Sequence, residues 1–145
     1  MRTVIAPLRP EVQQELERLD RRRAEIARRY IRRLALEPNL GPRVERGLLA
    51  EYGCRRIRFD REDRPDDMFG ARCQPKRRGD QDLSEGPRWR IVYWTAEASR
   101  SQIRLVVILA VAPGHTKPPD ASAYELAAAR LESLIDARRK KGESK

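Results

Sequence analysis

A nearly uninterrupted apolar run at residues 103–111, IRLVVILAV, constrains the fold of this chain more than any other feature. Strands with one exposed face alternate polar and apolar residues, and this run does not alternate. Its many β-branched residues favour a strand that is buried on both faces. We therefore expect a central β-strand here, because the run is also too short to cross a bilayer as a helix.

A second predicted strand lies in the segment GPRWRIVYWT at residues 86–95. Side chains of a strand alternate between its two faces. Arg88 and Arg90 therefore point to one side of this strand, whereas Trp89, Ile91 and Tyr93 point to the other. The segment predicts a strand with one apolar face and one cationic face.

The segment CRRIRF at residues 54–59 repeats this pattern. Ile57 and Phe59 share one face of the predicted strand, and Arg56 and Arg58 share the other. If the two cationic strands are neighbours, their arginines fall on one face about 5 Å apart, where like charges repel. The cluster then destabilises the fold unless an anion binds to it.

Helical patterns flank these strands. The apolar spacing that follows the N-terminal prolines predicts either one long helix or a helical hairpin broken near Asp20. We favour the hairpin, because Asp20 can cap a second helix. Ser122 and Glu125 form a predicted capping box for a last helix that ends near Ala137. Residues 3–6 are a candidate for a short first strand.

These elements predict one α+β domain over residues 1–137, followed by a basic tail at 138–145. We expect an N-terminal helical hairpin packed on a small antiparallel sheet of three to four strands, with a C-terminal helix. The stretch 60–86 is rich in charged residues and is interrupted by Pro and Gly, so it predicts a long inserted loop.

The charge of the chain favours a polyanionic partner. Its 145 residues carry a net charge of +10, and Arg is the residue best suited to bidentate phosphate contacts. An Arg-rich genome would produce the same excess, although it explains less well the arginines that alternate along strands.

The composition also limits which cofactors the chain can bind and in which cellular compartment we expect it. Two Cys and one His are too few for a convincing zinc site, and we expect neither a metal nor another cofactor. The chain has no segment typical of a signal peptide or a membrane span, so we expect a cytoplasmic protein that does not enter a membrane.

The predicted cationic face has the chemistry of a groove for single-stranded RNA. Trp94 shares the face of Arg90, and an aromatic ring beside guanidinium groups can hold a base next to its phosphate. Arg88 lies nearer the predicted loop and suits an outer phosphate contact.

Such a groove can also cleave RNA, because a 2′-hydroxyl that attacks the adjacent phosphate needs no metal. The site must stabilise added negative charge, which fixed arginines do, and must transfer two protons. His115, the sole histidine, lies in the loop after the central strand, and Lys117 and Tyr124 follow closely. A loop residue without function at position 115 and a packing residue at position 124 are the alternative interpretations.

Three segments, PRWRIVYW, IRLVVILAVAPGH and SAYELAAARL, resemble the RelE/ParE toxin superfamily of bacterial type II toxin–antitoxin systems. The upstream segment RRLALEPNLGPRVERGLLAEYGCRRIRF also fits the family pattern of a helix, a turn and a basic strand. In the RelE branch the toxin enters the ribosomal A site and cuts mRNA without a metal. The resemblance therefore implies an endoribonuclease (mRNA interferase) that inhibits translation and arrests growth.

When the family pattern is aligned with this chain position by position, the resemblance implies that the catalytic residues are basic side chains on two strands and a tyrosine at the start of the last helix. The matching positions are Arg56, Arg58, Arg90 and Tyr124. The family's Arg or His in the loop after the last strand has no clean match, so His115 or Lys117 stands in for it. The loop at 60–86 departs from the tight turn of the family.

The resemblance further implies a cognate antitoxin as partner, besides mRNA and the ribosome. A protein partner for a chain of net charge +10 should be acidic on balance. Two alternatives stay open on the same fold. One is a ParE-like inhibitor that binds DNA gyrase and cuts no RNA, and the other is a non-catalytic RNA-binding protein.

Overall fold

The computed structural model describes residues 2–60, 88–98, 102–117 and 119–143. These residues form a four-stranded sheet with helices on both faces, which is an α+β arrangement. No helix within these ranges has the length and apolar character needed to cross a membrane. The predicted loop at 60–86 lies, apart from Asp60, outside the described residues.

The sheet consists of β1 (Arg2–Ile5), β2 (Arg55–Phe59), β3 (Trp89–Ala98) and β4 (Ile103–Pro113). Their order across the sheet is β1-β4-β3-β2. β4 pairs antiparallel with β3 and parallel with β1, and β3 pairs antiparallel with β2. β4 therefore lies inside the sheet, which confirms the position predicted from its apolar run.

The helices of the described ranges are α1 (Pro10–Arg18), α2 (Arg21–Arg33), α3 (Gly47–Glu51) and α4 (Ala123–Glu143). α2 begins at the predicted position, because an Asp20 carboxylate oxygen accepts a hydrogen bond from the backbone N–H of Arg23 (3.4 Å). The predicted capping box of α4 is confirmed: Ser122 Oγ accepts from Glu125 N (3.2 Å), and Glu125 Oε1 accepts from Ser122 N (3.1 Å). α4 continues beyond Ala137, the predicted end of this helix.

The predicted arrangement of an N-terminal helical hairpin on an antiparallel sheet is wrong. β1 precedes both helices and pairs with β4 in parallel, so α1 and α2 lie between the first and second strands and the sheet is mixed. Parallel neighbours need a long crossover connection, which the chain supplies by passing through its helices and the other strands before β4. The four-residue segment RTVI is too short for its sequence to predict this pairing.

Two hydrophobic cores hold the helices against the two faces of the sheet. The first joins α1 and α2 to one face and includes the fully buried residues Leu16, Ile26 and Ile91. The second joins α3 and α4 to the other face and includes Leu49 and Leu131. Burial of each such side chain contributes roughly 1.5–3 kcal/mol. The sheet is thereby fixed between its helices.

A β-bulge in the β3–β4 pair changes which side chains of β4 face α4. Val92 pairs with Ala110 and Tyr93 pairs with Ile108, so Leu109 is an extra residue on β4. Consequently Leu109 and Ala110 both belong to the core beneath α4. A bulge changes the face of the sheet to which the following side chains point. This bulge therefore determines the orientation of the last residues of β4, which lead into the candidate site.

A buried ion pair joins α1 to α4. Arg130 Nη2 lies 2.7 Å from Glu15 Oε2, and Arg130 Nη1 donates to Glu15 Oε1 (3.0 Å) and to the carbonyl oxygen of Leu109 (2.9 Å). Glu15 Oε1 also accepts from the backbone N–H of Val111 (2.9 Å). The side chains of Glu15 and Arg130 are 11% and 18% exposed. The pair therefore ties helices from opposite faces of the sheet to the same strand.

Cys54 lies directly before β2, fully buried in the core beneath α3 and α4. Burial raises the pKa of its thiol to about 12, because the thiolate loses its solvation in apolar surroundings. In a Cys73→Ser variant, where Cys54 is the only thiol left, we expect alkylation at pH 8 to be about 10³-fold slower than in the unfolded chain. Iodoacetamide labelling followed by mass spectrometry, with and without urea, measures this ratio. Equal rates would contradict the burial of the thiol.

Candidate nucleic-acid interface

Three arginines of β2 and β3 come together on the face of the sheet that α4 covers. Arg58 lies directly opposite Arg90 in the strand pair, and Arg56 lies opposite Val92. Opposite residues of an antiparallel pair share one face, with Cβ atoms about 5 Å apart. The sheet thus brings together Arg56, Arg58 and Arg90, as the alternation in the sequence predicts, and we call these three residues the arginine cluster.

Arg90 is the most enclosed member of the arginine cluster, with 6% of its surface exposed. Its Nε donates to the hydroxyl oxygen of Tyr124 (3.1 Å), and its Nη1 donates to the carbonyl oxygen of Trp89 (3.1 Å). Burial lowers the pKa of Arg90; the Tyr124 hydroxyl opposes this shift, and the charges of Arg58 and Arg56 add to it. Because a guanidinium stays charged in proteins, a buried cation lies beneath α4.

Two donors of the arginine cluster have no hydrogen-bond partner among the described residues. They are Nε of Arg56 and Nε of Arg58, and both atoms are shielded from solvent. Arg56 Nη1 donates to the carbonyl oxygen of Arg43 (3.1 Å), which holds that guanidinium in place. A buried donor without an acceptor destabilises a fold by about 1–3 kcal/mol, and a charged one by more. Two such donors beside the buried Arg90 are suited to an anion, whose oxygens can accept these hydrogen bonds.

A cleft of about 560 Å³ opens beside the arginine cluster, between α3 and α4. Its lining includes Arg56 from β2, His115 from the loop after β4, Tyr124 from α4, and residues 44–49. The hydrogen bond of Tyr124 connects the cleft to Arg90 beneath it. The fold therefore places His115 near the arginine cluster and Tyr124, although these residues come from four separate parts of the chain.

Tyr124 and His115 give the cleft two groups that can exchange protons with a ligand. The Tyr124 oxygen accepts a hydrogen bond from Arg90, so its own hydrogen is left to be donated to a ligand. His115 is exposed and lines the cleft, and imidazole is the side chain that enzymes use most often for proton transfer. Combined with the arginine cluster, these groups can stabilise negative charge and transfer protons at one place.

The three residues predicted to contact RNA lie outside the lining of the cleft. Arg88 is exposed directly before β3, and Lys117 is exposed in the loop after β4. The Trp94 ring packs edge-on against Tyr52, with 6.3 Å between centroids, and lies 5.9 Å from Cζ of Arg138. The structure thus gives Trp94 protein partners on α4 and next to α3.

A charged network holds the ends of β2 and β3 that carry the arginine cluster. Asp60 accepts from Arg23 Nε through Oδ1 (2.7 Å) and from the backbone N–H of Arg88 through Oδ2 (3.2 Å). Arg23 also donates to Asp20 (2.9 Å), and its guanidinium lies over the ring of Trp89 at 5.6 Å. This network fixes the backbone on one side of Arg90.

Gly114 is a site residue that the sequence patterns do not reveal. A Cβ at this position would lie 2.8 Å from both Cζ and Nε of Arg90, so any larger residue would displace the guanidinium from its present position. The backbone N–H of Gly114 donates to the carbonyl oxygen of Arg88 (2.8 Å), which holds the loop against β3. Ala112 pairs with Arg90 beyond the bulge, so Gly114 follows on the same face. An apolar strand without alternation does not indicate which of its residues pair with β3 on either side of a bulge. The position of Gly114 next to Arg90 was therefore not predictable.

α3 contributes a wall to the cleft, and the apolar residues of this segment, which suit either a helical turn or an extended segment, do not mark it as part of a site. Its half-buried residue Leu48 lines the cleft next to the buried Leu49. The segment before α3 is tied to the sheet by Tyr93, whose hydroxyl donates to the carbonyl oxygen of Pro38 (2.9 Å) and accepts from the backbone N–H of Gly41 (3.0 Å). A buried tyrosine of β3 thereby positions the chain that forms one side of the site.

Comparison of the chain with known protein families, with curated proteins and with solved structures finds no match. Within the described ranges, no three His, Cys, Asp or Glu side chains lie together in the manner of a metal site. The resemblance to the RelE/ParE superfamily therefore rests on the quoted sequence segments, and the interface is defined by its own geometry.

Proposed function

We propose that this protein is a RelE-type toxin of a type II toxin–antitoxin system, which inhibits translation in the cytoplasm by cutting mRNA on the ribosome. The observation that carries the proposal is the arginine cluster. A buried Arg90 is hydrogen-bonded to Tyr124, and two neighbouring guanidinium Nε groups find no acceptor among the described residues. Fixed donors of this kind stabilise charge that develops on a phosphate in a transition state.

In the proposed reaction, the 2′-hydroxyl of one nucleotide loses its proton and its oxygen attacks the adjacent phosphorus. The bond between phosphorus and O5′ breaks, and O5′ takes up a proton, which leaves a 2′,3′-cyclic phosphate and a 5′-hydroxyl. The arginine cluster stabilises the added negative charge. His115 and Tyr124 are the residues of the cleft suited to transfer the two protons.

The proposal includes an antitoxin that is acidic on balance. The chain has a net charge of +10, and a partner of opposite charge associates faster and more selectively. Such a partner would neutralise the arginine cluster by placing a carboxylate where the RNA phosphate otherwise binds. A small acidic protein encoded by the adjacent gene and co-purifying with this chain would support this part of the proposal.

Primer extension on an mRNA translated by purified ribosomes tests the proposed function. Addition of the protein should produce new 5′ ends within the translated region, and omission of ribosomes should remove them. Growth arrest with intact transcripts, an induced SOS response and stalled gyrase–DNA complexes would replace the proposal with a ParE-like gyrase inhibitor. Binding of RNA without growth arrest or cleavage would instead identify a non-catalytic RNA-binding protein.

Substitution of Gly114 by Ala is expected to lower mRNA cleavage by about 10²-fold, because a displacement of about 1 Å in a positioning group costs this much. The added Cβ would meet the guanidinium of Arg90 at 2.8 Å, and the side chain must move away. The same primer-extension assay measures the loss.

A double-variant cycle shows whether Gly114 acts through Arg90. Adding Gly114→Ala to Arg90→Met should cause no further loss of cleavage, since the guanidinium that the methyl group displaces is already absent. Additive losses from the two substitutions would contradict this positioning role.

A further inference from the structure

One side of the cleft is apolar, and the proposed cleavage step does not use this apolar side. Val44, Leu48 and Ala128 give it an apolar wall, whereas Arg56 gives it a cationic end. Ligand pockets of about 300–1,000 Å³ are typically apolar with a few placed polar groups, and the 560 Å³ of this cleft fall within that range. An apolar wall next to the cationic side chain of Arg56 fits a ligand with one flat apolar part and one anionic part.

We infer that the cleft is a binding site for a single nucleotide, with its base against Leu48 and Ala128 and its phosphate at Arg56 and Arg58. This inference rests on the proposed function and deepens it, because it names the nucleotide that the cleft holds, whose 3′-phosphate is the scissile phosphate. Within the part of the chain that the structure describes, the Nε atoms of Arg56 and Arg58 are buried donors without an acceptor, and phosphate oxygens supply acceptors.

Glu45 adds a means to discriminate between bases. It is exposed at the cleft, and its carboxylate can only accept hydrogen bonds. Exocyclic amino groups, such as N4 of cytosine, donate to a carboxylate, and uracil has no such group. The neighbouring Glu125 is already engaged, because its Oε1 accepts from Ser122 N. Glu45 is therefore the residue expected to disfavour uridine.

Titration of the free protein with each of the four ribonucleoside 3′-monophosphates tests the inference by calorimetry and without ribosomes. The variant Ala128→Trp fills the cleft and should weaken binding by about tenfold or more, since stacking of one base is worth about 1–3 kcal/mol. Ala129→Trp is the matched control, because Ala129 is exposed on the same helix and does not line the cleft. Leu48→Asn should weaken binding in the same way if Ala128→Trp does not fold.

Base preference is tested with Glu45→Gln. Wild-type protein should bind uridine monophosphate about tenfold more weakly than the best nucleotide, as expected for one good base contact worth 1–3 kcal/mol. Glu45→Gln should reduce this difference, whereas Glu51→Gln, an exposed control at the end of α3, should preserve it.

The outcomes separate this inference from the proposed function. If no nucleotide binds, or if Ala128→Trp and Ala129→Trp bind alike, the inference is wrong even when transcripts are cut normally. An unchanged uridine difference in Glu45→Gln would overturn the role of Glu45. Conversely, nucleotide binding that follows the expected pattern in a protein that never cuts mRNA would uphold the inference and remove the proposed function.

Discussion

Replacement of Arg90 by methionine is expected to lower mRNA cleavage by about 10²–10³-fold, the usual effect of removing one donor that stabilises transition-state charge. Methionine retains most of the apolar stem of arginine but lacks the guanidinium that is hydrogen-bonded to Tyr124. Burial and the neighbouring Arg58 and Arg56 oppose the charge at this position. Loss of that charge should therefore leave the melting temperature equal to or above that of the wild type.

Arg104→Met is the matched control for this prediction. Arg104 also lies on a strand, β4, but it pairs with Glu97 (3.2 Å) and is not a member of the arginine cluster. We expect this control to cut transcripts at the wild-type rate in the primer-extension assay. A folded Arg90→Met protein with full activity would contradict the proposed function, and an equal loss in both variants would contradict a specific role for Arg90.

Removal of the Glu15 carboxylate, in Glu15→Ala, is expected to reduce the free energy of unfolding by about 3–5 kcal/mol, as is typical when one partner of a buried ion pair is lost. Arg130, only 18% exposed, would keep a buried charge without its carboxylate. The backbone N–H of Val111 would also lose an acceptor. Urea denaturation at neutral pH, followed by circular dichroism, measures the change.

Two further variants make this stability prediction specific. Glu17→Ala changes an exposed carboxylate on the same helix and should alter stability by no more than about 0.5 kcal/mol. The double variant Glu15→Leu with Arg130→Met should recover most of the loss, because no unpaired charge then remains buried. Equal stability of Glu15→Ala and Glu17→Ala would show that the ion pair contributes nothing.

The correctly predicted features of the fold are those that depend on residues close together in the sequence. The apolar run at residues 103–111 places β4 inside the sheet, and alternation in β2 and β3 puts Arg58 and Arg90 on one face once these strands pair. Helix caps are equally local, so Asp20 and Ser122 mark the starts of α2 and α4. In each case a few neighbouring residues decide the outcome through solvent exposure or backbone hydrogen bonding.

Features that depend on distant residues were not predictable. The parallel pairing of β1 rests on four residues, and the wall of the cleft rests on α3, a helix of five residues without a periodic pattern. Glu15 and Arg130 are 115 positions apart, and each resembles an ordinary charged residue of a helix surface. Gly114 depends on the register beyond a bulge. Only the assembled fold brings such partners together.

The ion pair of Glu15 with Arg130 also lies at a strand edge through which copies of this protein could associate. β1 covers β4 only as far as Val106, so in the described part of the chain the edge of β4 beyond that residue has no neighbouring strand on this side. Open strand edges recruit strands from other molecules and start aggregation. Arg130 and Glu15 occupy the backbone groups of Leu109 and Val111 along this edge. The pair thus occupies backbone groups that a strand from another molecule would need in order to pair with this edge.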